Sequence, residues 1–167
     1  VIQWGTTGTI VSSAANFQQR AHITSDGNNG AIIIWEDSRS GPPQTYAQRV
    51  DGSGVPQWTS NGIVLAETGS TQSNLRIISD GSSGAFATWR NANGEIYGQH
   101  IGSAGNLLWT VNGKIIISTG TAMDPELASD GATGTIITWT DFRGANAPNI
   151  YAQRITAAGS FMWSAAG

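Results

Sequence analysis

Apolar and polar residues alternate in three short runs: Ala21 and Ile23 flank His22, Leu75 and Ile77 flank Arg76, and Pro125 and Leu127 flank Glu126. A period of two puts one face of each run on a core and the other towards water, so each predicts a half-buried strand. A few residues later the pattern changes. Ala31 to Trp35, Ala85 to Trp89 and Thr135 to Trp139 are apolar almost throughout, which predicts a central strand covered on both faces. Between the two runs stands Asp-Gly-x-x-Gly, at Asp26 to Gly30, Asp80 to Gly84 and Asp130 to Gly134. Asp accepts bonds from the backbone that follows it and Gly supplies positive φ, so this segment predicts a hairpin turn. A third run comes next, Tyr46 to Val50, Tyr97 to Ile101 and Tyr151 to Ile155. After a second Gly-containing turn comes a fourth, Thr9 to Ser12, Ile63 to Ala66 and Lys114 to Ile117. No stretch carries the 3.6-residue period of an amphipathic helix.

The runs belong to a repeat. Ser25-Asp26-Gly27 recurs as Ser79-Asp80-Gly81 and Ser129-Asp130-Gly131, and Tyr46-Ala47-Gln48-Arg49 returns as Tyr97-Gly98-Gln99-His100 and Tyr151-Ala152-Gln153-Arg154. Trp-x-x-x-Gly occurs at Trp4/Gly8, Trp58/Gly62, Trp109/Gly113 and Trp163/Gly167. Four antiparallel strands in about 50 residues is the size of one β-propeller blade. The expected fold is all-β, with three such blades over about 20–69, 70–120 and 121–167. The strand order is circularly offset, because the chain opens on a Trp motif with its fourth strand and closes on a Trp motif without one. Thr9 to Ser12 is therefore expected to complete the last blade of its own or a neighbouring chain. Propellers generally have four to eight blades. Two chains joined head to tail give six and leave no open sheet edge, so a homodimeric six-bladed ring is expected. The rivals are an open filament grown by strand addition and a segment cut from a longer array.

Composition narrows the partners. The chain has 167 residues, enough for one domain with a core, and only 11% of them are charged. Seven Trp and many Ile and Val supply the surface to bury. A net charge of −3 with no basic stripe argues against nucleic acid. No apolar run approaches the roughly 20 residues of a membrane-spanning helix. The absence of Cys excludes disulfides and thiol chemistry. The start at Val1 without a signal peptide predicts a mature or excised segment. The low-charge, Gly/Thr/Asn-rich style suits an extracellular or cell-surface bacterial protein.

On Ser-Asp-Gly-x-x-Gly with its Trp strand, Tyr-Ala-Gln-Arg and Trp-x-x-x-Gly, the whole chain resembles bacterial β-propeller repeats of secreted and surface proteins, some of them lectins. It also resembles, loosely, the Asp-box of sialidase propellers, though here the Trp lies nine residues beyond the Asp, farther than an Asp-box places it. The resemblance is specific for the blade and says little of activity, since one fold hosts many functions.

Candidate chemistry points the same way. The two histidines, His22 and His100, are read as ordinary strand residues without the base-and-orienter company of a nucleophile. Two His without Cys cannot furnish a usual zinc set, and Asp26-x-Asn28 lacks the rest of a calcium loop, so no metal and no cofactor are expected. Glu36 and Asp37 are adjacent carboxylates, but neighbours on a strand point to opposite faces, unlike a glycosidase pair. No catalytic residues are assigned, and an enzyme is not expected. Trp35-x-Asp37-x-Arg39, echoed by Trp139-x-Asp141-x-Arg143, combines an aromatic face with an acceptor and a donor, the chemistry of sugar recognition. These six residues are the candidate ligand site, with structural pinning as the competing reading. The middle repeat has Trp89-Arg90-Asn91-Ala92-Asn93 instead, which predicts an altered or inactive copy. Trp58 and Trp109 are expected to wedge between sheets, and the Tyr-x-Gln pairs to glue one blade to the next. The expected function is non-enzymatic, multivalent glycan binding, where repeated weak sites gain avidity. The alternative is an assembly module that links subunits by strand exchange.

Overall fold

The computed structural model describes residues 4, 7–144 and 147–164. The chain is all-β, with no helix among the described residues and three antiparallel sheets. Sheet 1 contains β1 (Gln18–Ser25), β2 (Ala31–Asp37), β3 (Gln44–Val50) and β4 (Ile63–Val64) in that order. Sheet 2 repeats it with β5 (Gln72–Ser79), β6 (Ala85–Asn91), β7 (Ile96–Ile101) and β8 (Lys114–Ile117). Sheet 3 has three strands, β9 (Ala122–Ser129), β10 (Thr135–Asp141) and β11 (Asn149–Ile155), with β10 in the middle.

The Asp turn works as its sequence implies. Asp26 Oδ1 accepts the backbone N–H groups of Asn28 and Gly30 at 2.7 and 2.8 Å, and Asp80 and Asp130 do the same for Ser82/Gly84 and Ala132/Gly134. At Gly30, Gly84 and Gly134 a Cβ would run into the carbonyl of Val50, Ile101 or Ile155, so only Gly lets the hairpin close against the third strand. The first strand of each sheet also holds one non-Gly residue at positive φ: Arg20 at 53°, Asn74 at 53° and Asp124 at 52°. Each sits at a break in the register with the central strand, as a β-bulge requires.

The sheets are stacked in sequence, with the face of one buried against the leading strands of the next. In the first seam Ile34, Ala47, Leu65 and Ala66 of sheet 1 meet Leu75, Ala87, Trp89 and Ile101 of sheet 2. In the second, Ile96, Ile116 and Ile117 meet Ala122, Ile137, Trp139 and Ile155. Aliphatic and indole surface taken out of water at about 25 cal/mol per Å² is the main force holding the stack.

Trp-x-x-x-Gly ties the two levels together. Trp58 Nε1 donates to Ser103 O at 3.0 Å and its ring lies on Gly105, while Trp109 Nε1 donates to Ala157 O at 2.8 Å beside Gly159. Each indole thus laps forward onto a turn of the following sheet, as expected of a wedge. The Gly of the motif turns back under its own sheet: a Cβ on Gly62 or Gly113, both at positive φ, would strike the ring of Trp35 or Trp89. Trp4 repeats the lap onto sheet 1, donating to Gly52 O at 2.9 Å, with Ser13 N bonded to Asn61 Oδ1.

Two expectations change. Of the run Ile63 to Ala66, only Ile63–Val64 is regular strand, with Leu65 N still donating to Thr45 O at 2.8 Å. Thr9 to Ser12 forms no strand, so it does not complete sheet 3 of its own chain. Trp4 and Asn61 hold the segment on sheet 1, away from the edge it would have to reach. Gly167, the end of the last Trp-x-x-x-Gly, lies outside the described residues.

Candidate functional site

The Trp-Asp-Arg constellation forms as a unit, and its members bond to one another. In sheet 1 the buried Asp37 carboxylate accepts Trp35 Nε1 at 2.8 Å, Arg39 Nε at 2.9 Å and Arg39 Nη2 at 2.6 Å. Arg39 Nη2 also donates to Asn61 O at 2.7 Å, and the guanidinium lies 3.9 Å from the centre of the Tyr46 ring. Sheet 3 repeats this: Trp139 Nε1 donates to Asp141 at 3.3 Å, Arg143 Nε at 2.8 Å, and the Arg143 guanidinium lies 3.8 Å over Tyr151. The hydroxyls of Thr119 and Thr121 complete the Asp141 shell. Burial works against both carboxylates, but the hydrogen bonds outweigh it. Asp37 titrates below its ordinary range through Arg39 and Trp35, and Asp141 is held at about 2 through Thr121, Arg143 and Thr119.

All six candidate residues are therefore brought together in two groups of three, with the indoles of Trp35 and Trp139 buried. The Tyr ring face beside each is covered by the guanidinium. Such an arrangement pins the loop after the central strand onto the third strand, with a desolvated ion pair and a cation–π contact.

The middle repeat departs in a way the sequence does not foretell. Arg90 turns to the next sheet and donates to Ala122 O at 2.8 Å. Asn91 stands in the place of the Asp, closing a tight turn through Asn93 N and Glu95 N, both at 3.0 Å to Oδ1, and donating from Nδ2 to Glu95 Oε2 at 2.7 Å. Among the described residues no Arg covers Tyr97. A cleft of about 230 Å³ opens there, lined by Trp89, Tyr97, Glu95, Asn91, Asn93, Thr68 and Ser70. Burial first, and then the neighbouring Glu95, raise the Tyr97 hydroxyl above its usual pKa.

Other sequence-stressed residues have structural partners. Glu36 holds Gln19 and Arg20 at 3.2 Å on the face opposite Asp37, so the adjacent carboxylates do not converge on one bond. The second oxygen of Asp26 and of Asp130 accepts Arg49 and Arg154, the fourth residue of Tyr-x-Gln-Arg, at 2.9 and 3.0 Å. In the middle repeat His100 fills that position, with Nε2 2.9 Å from Asp80 Oδ2 and Nδ1 3.0 Å from Ala157 O of the next sheet. The alignment of His100 with two arginines was the available signal for this clamp. Calcium at Asp26-x-Asn28 has no free carboxylate to use, and among the described residues no group of three His, Asp or Glu is placed to hold a metal.

The Tyr-x-Gln pairs act differently from the expectation. Gln48 accepts Trp58 N and donates to Thr59 O, Gln99 does so for Trp109 and Thr110, and Gln153 for Trp163 and Ser164. Each buried amide clamps the Trp segment of its own sheet, because that segment runs antiparallel beside the third strand. The Trp of that segment in turn reaches the next sheet. Compared with known proteins, the sequence matches no protein-family model and no curated protein.

Proposed function

We propose that the three sheets are blades of a β-propeller and that the chain is an assembly module, joined through its first and last sheets to further units of the same repeat, with two copies making a six-bladed ring. The observation that carries this reading is the contrast between equivalent residues at inner and outer faces. Ile96 is fully buried in the second seam, whereas its equivalent on the outgoing face of sheet 3, Ile150, is 75% exposed. On the incoming side, Ile77 and Leu127 pack into seams, and their equivalent Ile23 is 65% exposed. Beside it an apolar cleft of about 340 Å³, lined by Val11, Ala21, Ile33 and Trp35 among others, occupies the side of sheet 1 that corresponds to the seam face of sheet 2. Faces whose repeats are buried by one another are best covered by one another.

Charge supports the same pairing. Across the second seam Arg76 Nε meets Glu126 Oε1 at 2.8 Å and Asn74 approaches Asp124 at 3.4 Å. The corresponding positions on β1 are Arg20 and His22. A head-to-tail joint sets Asp124 and Glu126 of one unit against Arg20 and His22 of the next, which steers approach and fixes register. Among the described residues, the edge of β11 has no strand where β4 and β8 lie in the other sheets. Thr9 to Ser12 of an adjoining unit has the sequence position to fill it. A Cβ on Gly8, at positive φ, would meet none of the described residues, whereas one on Gly62 or Gly113 would strike a Trp ring.

Light scattering during size exclusion, over a range of concentration, tests the proposal. A discrete species of twice the 17.4 kDa chain mass is expected, and Ile150→Arg should convert it to folded monomer. A ladder of sizes would replace the ring by a filament. Monomer at every concentration would overturn joining by this chain.

A further inference from the structure

We propose that the middle sheet carries a slot for a sugar ring, seated on the face of Tyr97 between the indole N–H of Trp89 and the carboxylate of Glu95. This is independent of the joining function above. In sheets 1 and 3 the equivalent slot is filled from within, by guanidinium groups 3.9 and 3.8 Å over Tyr46 and Tyr151. In sheet 2 the hairpin Asn91-Ala92-Asn93-Gly94 carries no Arg, and the slot remains as the cleft of about 230 Å³.

The groups left at its wall define the ligand. Trp89 is 1% exposed, and its Nε1 donates to none of the described residues, whereas Trp35 and Trp139 give theirs to Asp37 and Asp141. The replacement of Asp by Asn at position 91 is the cause, because Asn91 spends its Oδ1 on the turn and turns its Nδ2 to Glu95. The indole thus leaves a donor with no partner among the described residues beside the slot, which an acceptor on a ligand would meet. Glu95 asks for the reverse. Its Oε2 receives Asn91 Nδ2 and Tyr97 OH, and its Oε1 accepts from none of the described residues. The ligand must then accept at the indole, donate at the carboxylate and lay an apolar face on the phenol ring.

Hydroxyl groups on a C–H-faced ring do all three. A cation answers Glu95 and Tyr97 but leaves Trp89 unpartnered, since it has no acceptor to offer. Thr68 and Ser70 add hydroxyls at the rim. The volume lies below the ~300 Å³ at which drug-sized sites begin, which suits a single monosaccharide unit.

The test is a glycan array with the folded protein, followed by titration of the best free monosaccharide while the Trp89 indole N–H is followed by NMR. Saturable binding that shifts that resonance is expected. Glu95→Ala should weaken it at least tenfold, and so should Asn91→Asp with Asn93→Arg, which installs the plug of the other two repeats. Thermal unfolding checks that both variants remain folded. Silence on the array, binding that survives both changes, or a response to methylguanidinium in place of sugars would overturn the proposal.

Discussion

The loops after β2 and β10 and the loop after β6 answer the same local problem in opposite ways. Each must leave a central strand beside a buried Trp and a stacked Tyr. The outer two do so with an Asp that gathers the indole N–H and the guanidinium Nε, and with an Arg laid over the phenol. The middle one replaces both, shortens the turn and leaves a cleft. The difference teaches that sequence similarity to a ligand site can mark where a protein binds itself. The degenerate copy, by losing its own plug, is the one with room for something else.

The sharpest way to break the comparison is to remove the acceptor at an outer loop. Asp37→Ala strands a guanidinium and an indole N–H, and should cost about 3 kcal/mol in chemical denaturation. Asn91→Ala in the middle repeat should cost visibly less. Next comes Arg39→Ala, or Arg143→Ala, each expected to lower stability by about 2 kcal/mol because a buried carboxylate loses its partner. Asn93→Ala, at the equivalent position, should change little. If the Arg variants kept full stability and abolished a glycan interaction, pinning would be the wrong account of these loops.

His100 sharpens the same contrast. His100→Ala should cost about 1–2 kcal/mol through loss of its contacts to Asp80 and Ala157. His100→Arg, which restores the residue of the other repeats, should retain most of the stability. Acid gives a smaller, graded effect. Asp141 has a folded pKa lowered from 3.8 to about 2. Its share of stability is therefore complete above the ordinary carboxylate range and is lost as the pH falls from about 4 through about 2. Asp37 is shifted the same way, and position 91, an Asn, contributes no such slope. Unfolding free energy measured across this window should flatten in Asp141→Asn.

Much of this fold was legible in the chain, and the reasons are local. The Asp-Gly-x-x-Gly turn is specified within five residues, and the apolar runs announce β2, β6 and β10. What was not legible depends on direction across space. The spacing of Trp35, Asp37 and Arg39 places them together but does not say that the Arg folds back onto its own strand instead of outward. The constancy of Gln48, Gln99 and Gln153 marks a structural role, yet not whether the amide reaches the same sheet or the next. Thr9 to Ser12 has a fourth-strand sequence, but a strand needs an edge to pair with, and no pattern in the chain places that edge.

The forward lap of each Trp has a consequence for how such a chain gains and loses length. The clamps of Asp26, Asp130, Gln48 and Gln99 close inside one period, while the contacts that cross to the next, an indole on a glycine turn, Arg76 on Glu126 and Arg90 on Ala122 O, fall at fixed places in the repeat. A whole period is therefore the natural unit of duplication or deletion in the gene. Excising one complete repeat lets the preceding Trp meet an equivalent turn, so the break heals with the same contact. An excision of half that length leaves a Gln without its Trp segment and an indole without a floor. Length in this architecture changes in steps of one repeat, and the joints need not be reinvented at each step.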